Sequence, residues 1–145
     1  MHYLNISFSH KNSNLEIREK LSYPDDESKL GCMKRLTTSA VIAEVILIST
    51  CNRMEVLCNC SDVKVASAYV FDVLSKRAGL SVEKLREHAD VLDDSDAIHH
   101  LFSVAASLDS MVLGETQIVG QLKDAFRFAY DSGYCGKKLA RAMKN

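Results

Sequence analysis

The nine residues ISTCNRMEV, Ile48 to Val56, place a thiol, an amide and a guanidinium within three positions, between two apolar runs. A chain reversal calls for small polar residues, which Thr50 and Asn52 supply, but it does not call for Cys51 or Arg53. An ordinary thiol, with a pKa of about 8.5, is only a few per cent thiolate at neutral pH. A guanidinium two residues away favours the anion, and donors on Thr50 and Asn52 add to that effect. Cys51 is therefore a candidate nucleophile. The local sequence is equally compatible with a turn that contains an inert cysteine.

The remaining polar residues are less pointed. Cys58 and Cys60 alternate onto one strand face, and no second cysteine or histidine pair completes a tetrahedral zinc set, so buried packing is expected for both and for Cys32. Cys135 is assigned no role. His99 and His100 are consecutive on a helix and diverge by about 100°, so at most one faces a site shared with Cys51. Asp109 and Ser110 fall at a helix end, where they can cap the next helix. In GETQIVGQ, Gln117 and Gln121 are four apart and share a helix face, with Glu115 at its start. Gly120 costs that helix up to ~1 kcal/mol relative to alanine. It points to a close approach, either to a sheet or to a ligand pocket bordered by the polar face.

These residues need elements to hold them. In YLNISFS, Leu4, Ile6 and Phe8 alternate as on a half-buried strand. LEIREKLS predicts a short helix anchored by Leu15 and Leu21. Pro24 marks the entry to a helix through residues 25–40, with acids leading and bases trailing. AVIAEVILIST is a β-branched run, read as a central strand buried on both faces. MEVLCNC resumes strand alternation, and CNR between the two runs gives hairpin spacing. A helix then runs from about residue 63 to Gly79, followed by a short helix capped by Ser81 and a final short strand, ADVLDD. The order βαββαβ predicts an α+β, ferredoxin-like antiparallel sheet. Helical segments complete residues 95–145.

Composition is that of an ordinary soluble domain: 145 residues, 47% hydrophobic and 26% charged, enough for one compact domain with helical additions. A net charge of −1 lacks the basic excess usual in nucleic-acid binders, although Lys123, Arg127, Lys137, Lys138, Arg141 and Lys144 crowd the C-terminal end. No apolar run is long enough to span a bilayer, and the first residues do not form a signal peptide. Five cysteines without regular spacing fit a reducing cytoplasm better than a disulfide framework.

Two stretches taken together are more specific. STCNRMEV (Ser49 to Val56) and HLFSVAASLDSMVLGETQIVGQLKDAF (His100 to Phe126) resemble the signatures of glutamyl-tRNA reductase, and SFSHKNSNLEIREKLSY resembles that family's opening. The resemblance covers essentially the whole chain and implies an N-terminal catalytic domain over residues 1–145. It departs at Ser107, at Thr116 and in an opening loop that lacks proline. The family reduces glutamyl-tRNA(Glu) to glutamate-1-semialdehyde with NADPH, the first step of five-carbon tetrapyrrole synthesis. The resemblance implies that NADPH is bound by a Rossmann domain absent from this chain, where no GxGxxG occurs. It further implies a homodimer through another absent domain, and a partnership with the downstream aminomutase. It makes Cys51 the nucleophile that forms a glutamyl thioester and His100 a histidine important for activity. Thr50, Asn52, Arg53, Ser110, Glu115, Thr116, Gln117 and Gln121 become substrate-binding positions, with Arg53 suited to the γ-carboxylate. The competing reading is a non-catalytic ferredoxin-like module that binds a small ligand or RNA.

Overall fold

The computed structural model describes residues 1–50, 52–100, 115–136 and 139, with residues 115–122 described by their backbone path. The elements run β1 (His2–Ser9), α1 (Leu15–Leu21), α2 (Asp26–Thr38), β2 (Ile42–Ser49), β3 (Arg53–Cys60), α3 (Val63–Ala78), α4 (Val82–His88) and β4 (Asp90–Asp93). Residues 94–100 form a further helix, α5, and α6 spans Glu115–Asp131. The sheet order is β2-β3-β1-β4, and every pairing is antiparallel. This is the ferredoxin-like arrangement expected from the order of elements.

Local chemistry sets the boundaries. Asn14 caps α1 by accepting from the Ile17 N–H at 2.9 Å. Asp25 and Ser28 form a reciprocal capping box at the start of α2. Ser81 caps α4. Gly79 ends α3 in the left-handed region, φ 68°, where a side chain would be strained.

The register divides the sheet into two unlike faces. Directly opposed residues share a face, so Leu4, Ile6 and Phe8 of β1 lie with Met54, Val56 and Cys58 of β3 and with Val45 and Leu47 of β2. The buried residues of this face are all apolar and join Met33 and Leu36 of α2 and Val70, Phe71 and Leu74 of α3 in one core. The other face carries Asn5 and Ser7 of β1, Glu55 and Asn59 of β3 and Glu44 of β2, and it is buried as well. A bulge at Ala43 produces part of this pattern. It shifts the register between Ile42 and Glu44, so Ile42 stays on the apolar face while Glu44 turns to the polar one beside Asn59.

Four expectations change. β1 is buried on both faces rather than half-buried, because its polar residues are covered too. β3 is likewise buried from Met54 onward. β2 is an edge strand of the sheet, not a central one. It reads as central because α2 packs against it on one side and α6 on the other. In α1 the anchors are Ile17 and Leu21, four residues apart, whereas Leu15 is 52% exposed.

Glu44 ties the C-terminal segment to the polar face. Its carboxylate accepts from Asn59 Nδ2 at 2.8 Å, from the Gly136 N–H, and from the Leu139 N–H at 3.4 Å. A Cβ at position 136 would sit 3.1 Å from Glu44 Oε2, so the approach requires glycine or a shift of the carboxylate. Glu44→Ala leaves these buried donors without an acceptor and is expected to cost about 2–4 kcal/mol. Thermal unfolding followed by circular dichroism should show a fall in Tm of roughly 10 °C. A change within a degree or two would show that these bonds contribute little.

Candidate functional site

The β2–β3 hairpin closes on Thr50. Its N–H donates to the Arg53 carbonyl at 2.8 Å, and its hydroxyl accepts from the N–H groups of Asn52 and Arg53, each at 3.2 Å. Threonine at this position therefore fixes the tip through its side chain and its backbone together. Arg53 is the first residue of β3, so the connection is Thr50 to Asn52. Cys51 lies outside the described residues.

Two residues beyond Arg53, on the same face, is Glu55, 1% exposed. Its Oε2 takes Arg53 Nη1 at 2.9 Å, and its Oε1 takes His100 Nε2 at 3.0 Å and Asn5 Nδ2 at 3.3 Å. Burial pushes the Glu55 carboxyl up. The hydrogen bond from His100 and the charge and hydrogen bond of Arg53 outweigh burial and hold it below the ordinary carboxylate range. An ionised carboxylate only accepts, so His100 Nε2 carries a hydrogen and Nδ1 is the nitrogen left to act elsewhere. The Arg53 side chain stays 14% exposed, enough to meet a ligand from the tip.

α5 delivers His100. Asp94, in the left-handed region at φ 47°, opens that helix while its carboxylate accepts from the Tyr3 N–H at 3.1 Å and contacts His2 Nδ1 at 3.2 Å. This pins the helix to the start of β1. His100 then faces the sheet and its neighbour His99 is exposed. The side-chain Oδ1 atoms of Asn5 and Asn59 on the same polar face are buried and have no partner among the described residues.

The sequence-predicted positions are brought together only in part. Thr50, Asn52, Arg53 and His100 converge at one end of β3. Glu115, Thr116, Gln117 and Gln121 lie on the first turns of α6, where the description extends to the backbone. Ser110 lies outside the described residues. Glu55 and Asn5 were missed. The available signal was period two: an acid two residues from an arginine on one strand shares its face.

The four described cysteines, Cys32, Cys58, Cys60 and Cys135, are buried and form no disulfide. Burial raises the Cys32 thiol, and burial plus the Glu44 charge pushes Cys135 up to about 12. Hydrogen bonding to Cys60 and burial push Cys58 up as well. The hydrogen bond with Cys58 lowers the Cys60 thiol, but Cys60 is fully buried. Iodoacetamide near pH 7 should therefore spare all four in the folded chain, Cys60 by inaccessibility and the others also by their raised thiols, and modify Cys51 first. Peptide mapping that found any of the four modified earlier would contradict this order.

A family model described as the glutamyl-tRNAGlu reductase N-terminal domain matches residues 6–145. The chain belongs to that family. It is 65% identical to the glutamyl-tRNA reductase of Sulfurimonas denitrificans over 99% of this chain and 33% of that protein. The glutamyl-tRNA reductase of Campylobacter concisus is 47% identical over 99% of this chain and 34% of its own length. A solved glutamyl-tRNA reductase from Methanopyrus kandleri matches with a TM-score of 0.74 at 25% identity, covering 98% of this chain and 31% of that one. The chain thus spans about a third of the curated glutamyl-tRNA reductases it matches. No helix among the described residues is long and apolar enough to cross a membrane.

Proposed function

We propose that this chain is the acyl-transfer part of a glutamyl-tRNA reductase, with Cys51 as nucleophile. The observation that carries the reading is the Glu55 carboxylate, held between Arg53 and His100 at the hairpin that bears Cys51. With its Nε2 hydrogen on Glu55, His100 in its neutral form would offer Nδ1 as an acceptor for the thiol proton, and the buried carboxylate stabilises the imidazolium that results. The thiolate attacks the carbonyl carbon of the glutamyl ester, and the bond to the ribose oxygen breaks. That oxygen takes the proton from His100, and a glutamyl thioester remains on Cys51. Arg53 uses one nitrogen on Glu55 and turns its remaining donors to the γ-carboxylate of the substrate. Thr50 and Asn52 hold the tip. Ser110, Glu115, Thr116, Gln117 and Gln121 are assigned to the rest of the pocket by their motif.

NADPH does not fit the described residues. All strand pairings are antiparallel, and no parallel strand–helix crossover presents a glycine-rich turn to a pyrophosphate. On this reading hydride transfer is assigned to the part of the longer relatives outside the third that this chain matches. On its own the chain should acylate and then lose the acyl group slowly to water.

Incubation with glutamyl-tRNA carrying labelled glutamate tests this. The expected result is a hydroxylamine-sensitive adduct on the peptide containing Cys51, with slow release of glutamate. Stable binding of the tRNA without adduct or deacylation would instead support a non-catalytic module.

A further inference from the structure

The side-chain amides of Asn5 and Asn59 tie the polar face together, and each leaves one atom over. Asn5 Nδ2 donates to Glu55 Oε1 at 3.3 Å, and Asn59 Nδ2 donates to Glu44 Oε1 at 2.8 Å. The two residues are 0% and 1% exposed, and neither Oδ1 has a partner among the described residues. Flipping an amide does not help. It would set a carbonyl oxygen against a carboxylate oxygen, and both only accept. A buried acceptor without a hydrogen is destabilising, and two stand here on one face.

The register aims the two oxygens at one place. Leu57 stands opposite Asn5, and on this face of β3 Glu55 precedes it and Asn59 follows it. An amide that turns Nδ2 to Glu55 therefore turns Oδ1 toward Asn59. Glu44 stands opposite Asn59 on β2, whereas Asn5 is on β1, across β3. An amide that turns Nδ2 to Glu44 turns Oδ1 toward β1. Asn5 and Asn59 are diagonal neighbours, whose Cα atoms lie about 7–8 Å apart in such a pairing. Two hydrogen bonds of about 2.8 Å through one oxygen span what the side chains leave between them. The bridging group must give two hydrogens and be small, and a water molecule is both. A hard cation takes about six to eight oxygens, which two carbonyls do not supply.

We propose that one buried water bridges Asn5 and Asn59, and that Asn5, held by it, is a positioning residue for Glu55. The bridge makes one network of two. Arg53, His100, Glu55 and Asn5 form one part; Asn59, Glu44 and the N–H groups of Gly136 and Leu139 form the other. The hairpin end of the sheet and the C-terminal segment then share a single hydrogen-bonded row. The positioning role rests on the acyl-transfer reading, and the water does not.

A crystal structure of the chain tests the water. The expected result is density for one oxygen within about 3.2 Å of both Oδ1 atoms. Oδ1 atoms paired to protein donors, or no ordered density between them, overturns it. Acylation of Cys51 by glutamyl-tRNA, followed by mass spectrometry where each variant is folded, tests the role of Asn5. Asn5→Leu should slow acylation on the order of tenfold, the loss of one hydrogen bond to a charged group. In a Glu55→Gln background the same change should add nothing, because Asn5 acts through Glu55. An equal loss in both backgrounds, or no loss in either, overturns the positioning role. Asn5→Ala is read in the same way if Asn5→Leu does not fold. If the wild-type chain is not acylated, the acyl-transfer reading fails and the positioning role with it, and the crystal structure alone decides the water.

Discussion

Glu55→Gln is expected to slow acyl transfer from glutamyl-tRNA by about a hundredfold or more, because misplacing a positioning group by an ångström costs that much. The variant preserves size and one acceptor oxygen but removes the charge that three donors share. Arg53 then swings from its anchor, and the imidazolium of His100 loses its counter-ion. Breaking one side of a buried pair also costs stability, about 2–4 kcal/mol here because the amide retains part of the bonding. The pH dependence separates this role from packing. The Glu55 carboxyl is held below its ordinary value of 4.5, so its stabilisation is fully present above that pH and is lost as pH falls through the lower folded-state value. The stability gap between wild type and Glu55→Gln should shrink as pH falls below about 4.5. A gap that widened on acidification, or a variant with wild-type rates, would remove Glu55 from the site.

Cys51→Ser should lose the acyl adduct altogether. A hydroxyl is far less acidic than a thiol, and a serine adduct would be an oxygen ester no more activated than the substrate. Cys58→Ser is the matched control. Cys58 is fully buried on the apolar face, away from Arg53 and Glu55 on the polar one. Its change should lower Tm by placing a hydroxyl in the core, at about 1–3 kcal/mol, while glutamyl-tRNA is still deacylated by the folded fraction. Equal loss of deacylation in the two variants, measured at a temperature where both are folded, would end the assignment of Cys51.

The order of elements was legible because the segments carried their own periods, and Pro24, Gly79 and Ser81 stand at or beside boundaries. Position within the sheet was not legible. The apolar run of β2 reports coverage on both sides, and a flanking helix covers a strand as well as a neighbouring strand does. Leu15 was misread as an anchor because six residues separate it from Leu21, which is not a helical repeat, whereas Ile17 is one turn away. Glu55 was invisible for a different reason. An acid at alternate positions in a strand reads as the solvent side of a two-faced sheet, and only a second covered face makes it a buried charge. His100 could be nominated from sequence, but its partner lies 45 positions earlier, and periodicity does not encode such a distance.

That difference in separation orders how the site assembles in time. The bond between Arg53 and Glu55 spans two residues and belongs to the hairpin itself, so it can form with the turn, on the microsecond scale of hairpin closure. The His100 contact closes a far longer loop and must wait for β1, β3 and α5 to dock. The half proposed to grip the substrate carboxylate is thus a local folding unit. The half proposed to move protons is completed only when the domain is, so partly folded chains would present the hairpin without its histidine.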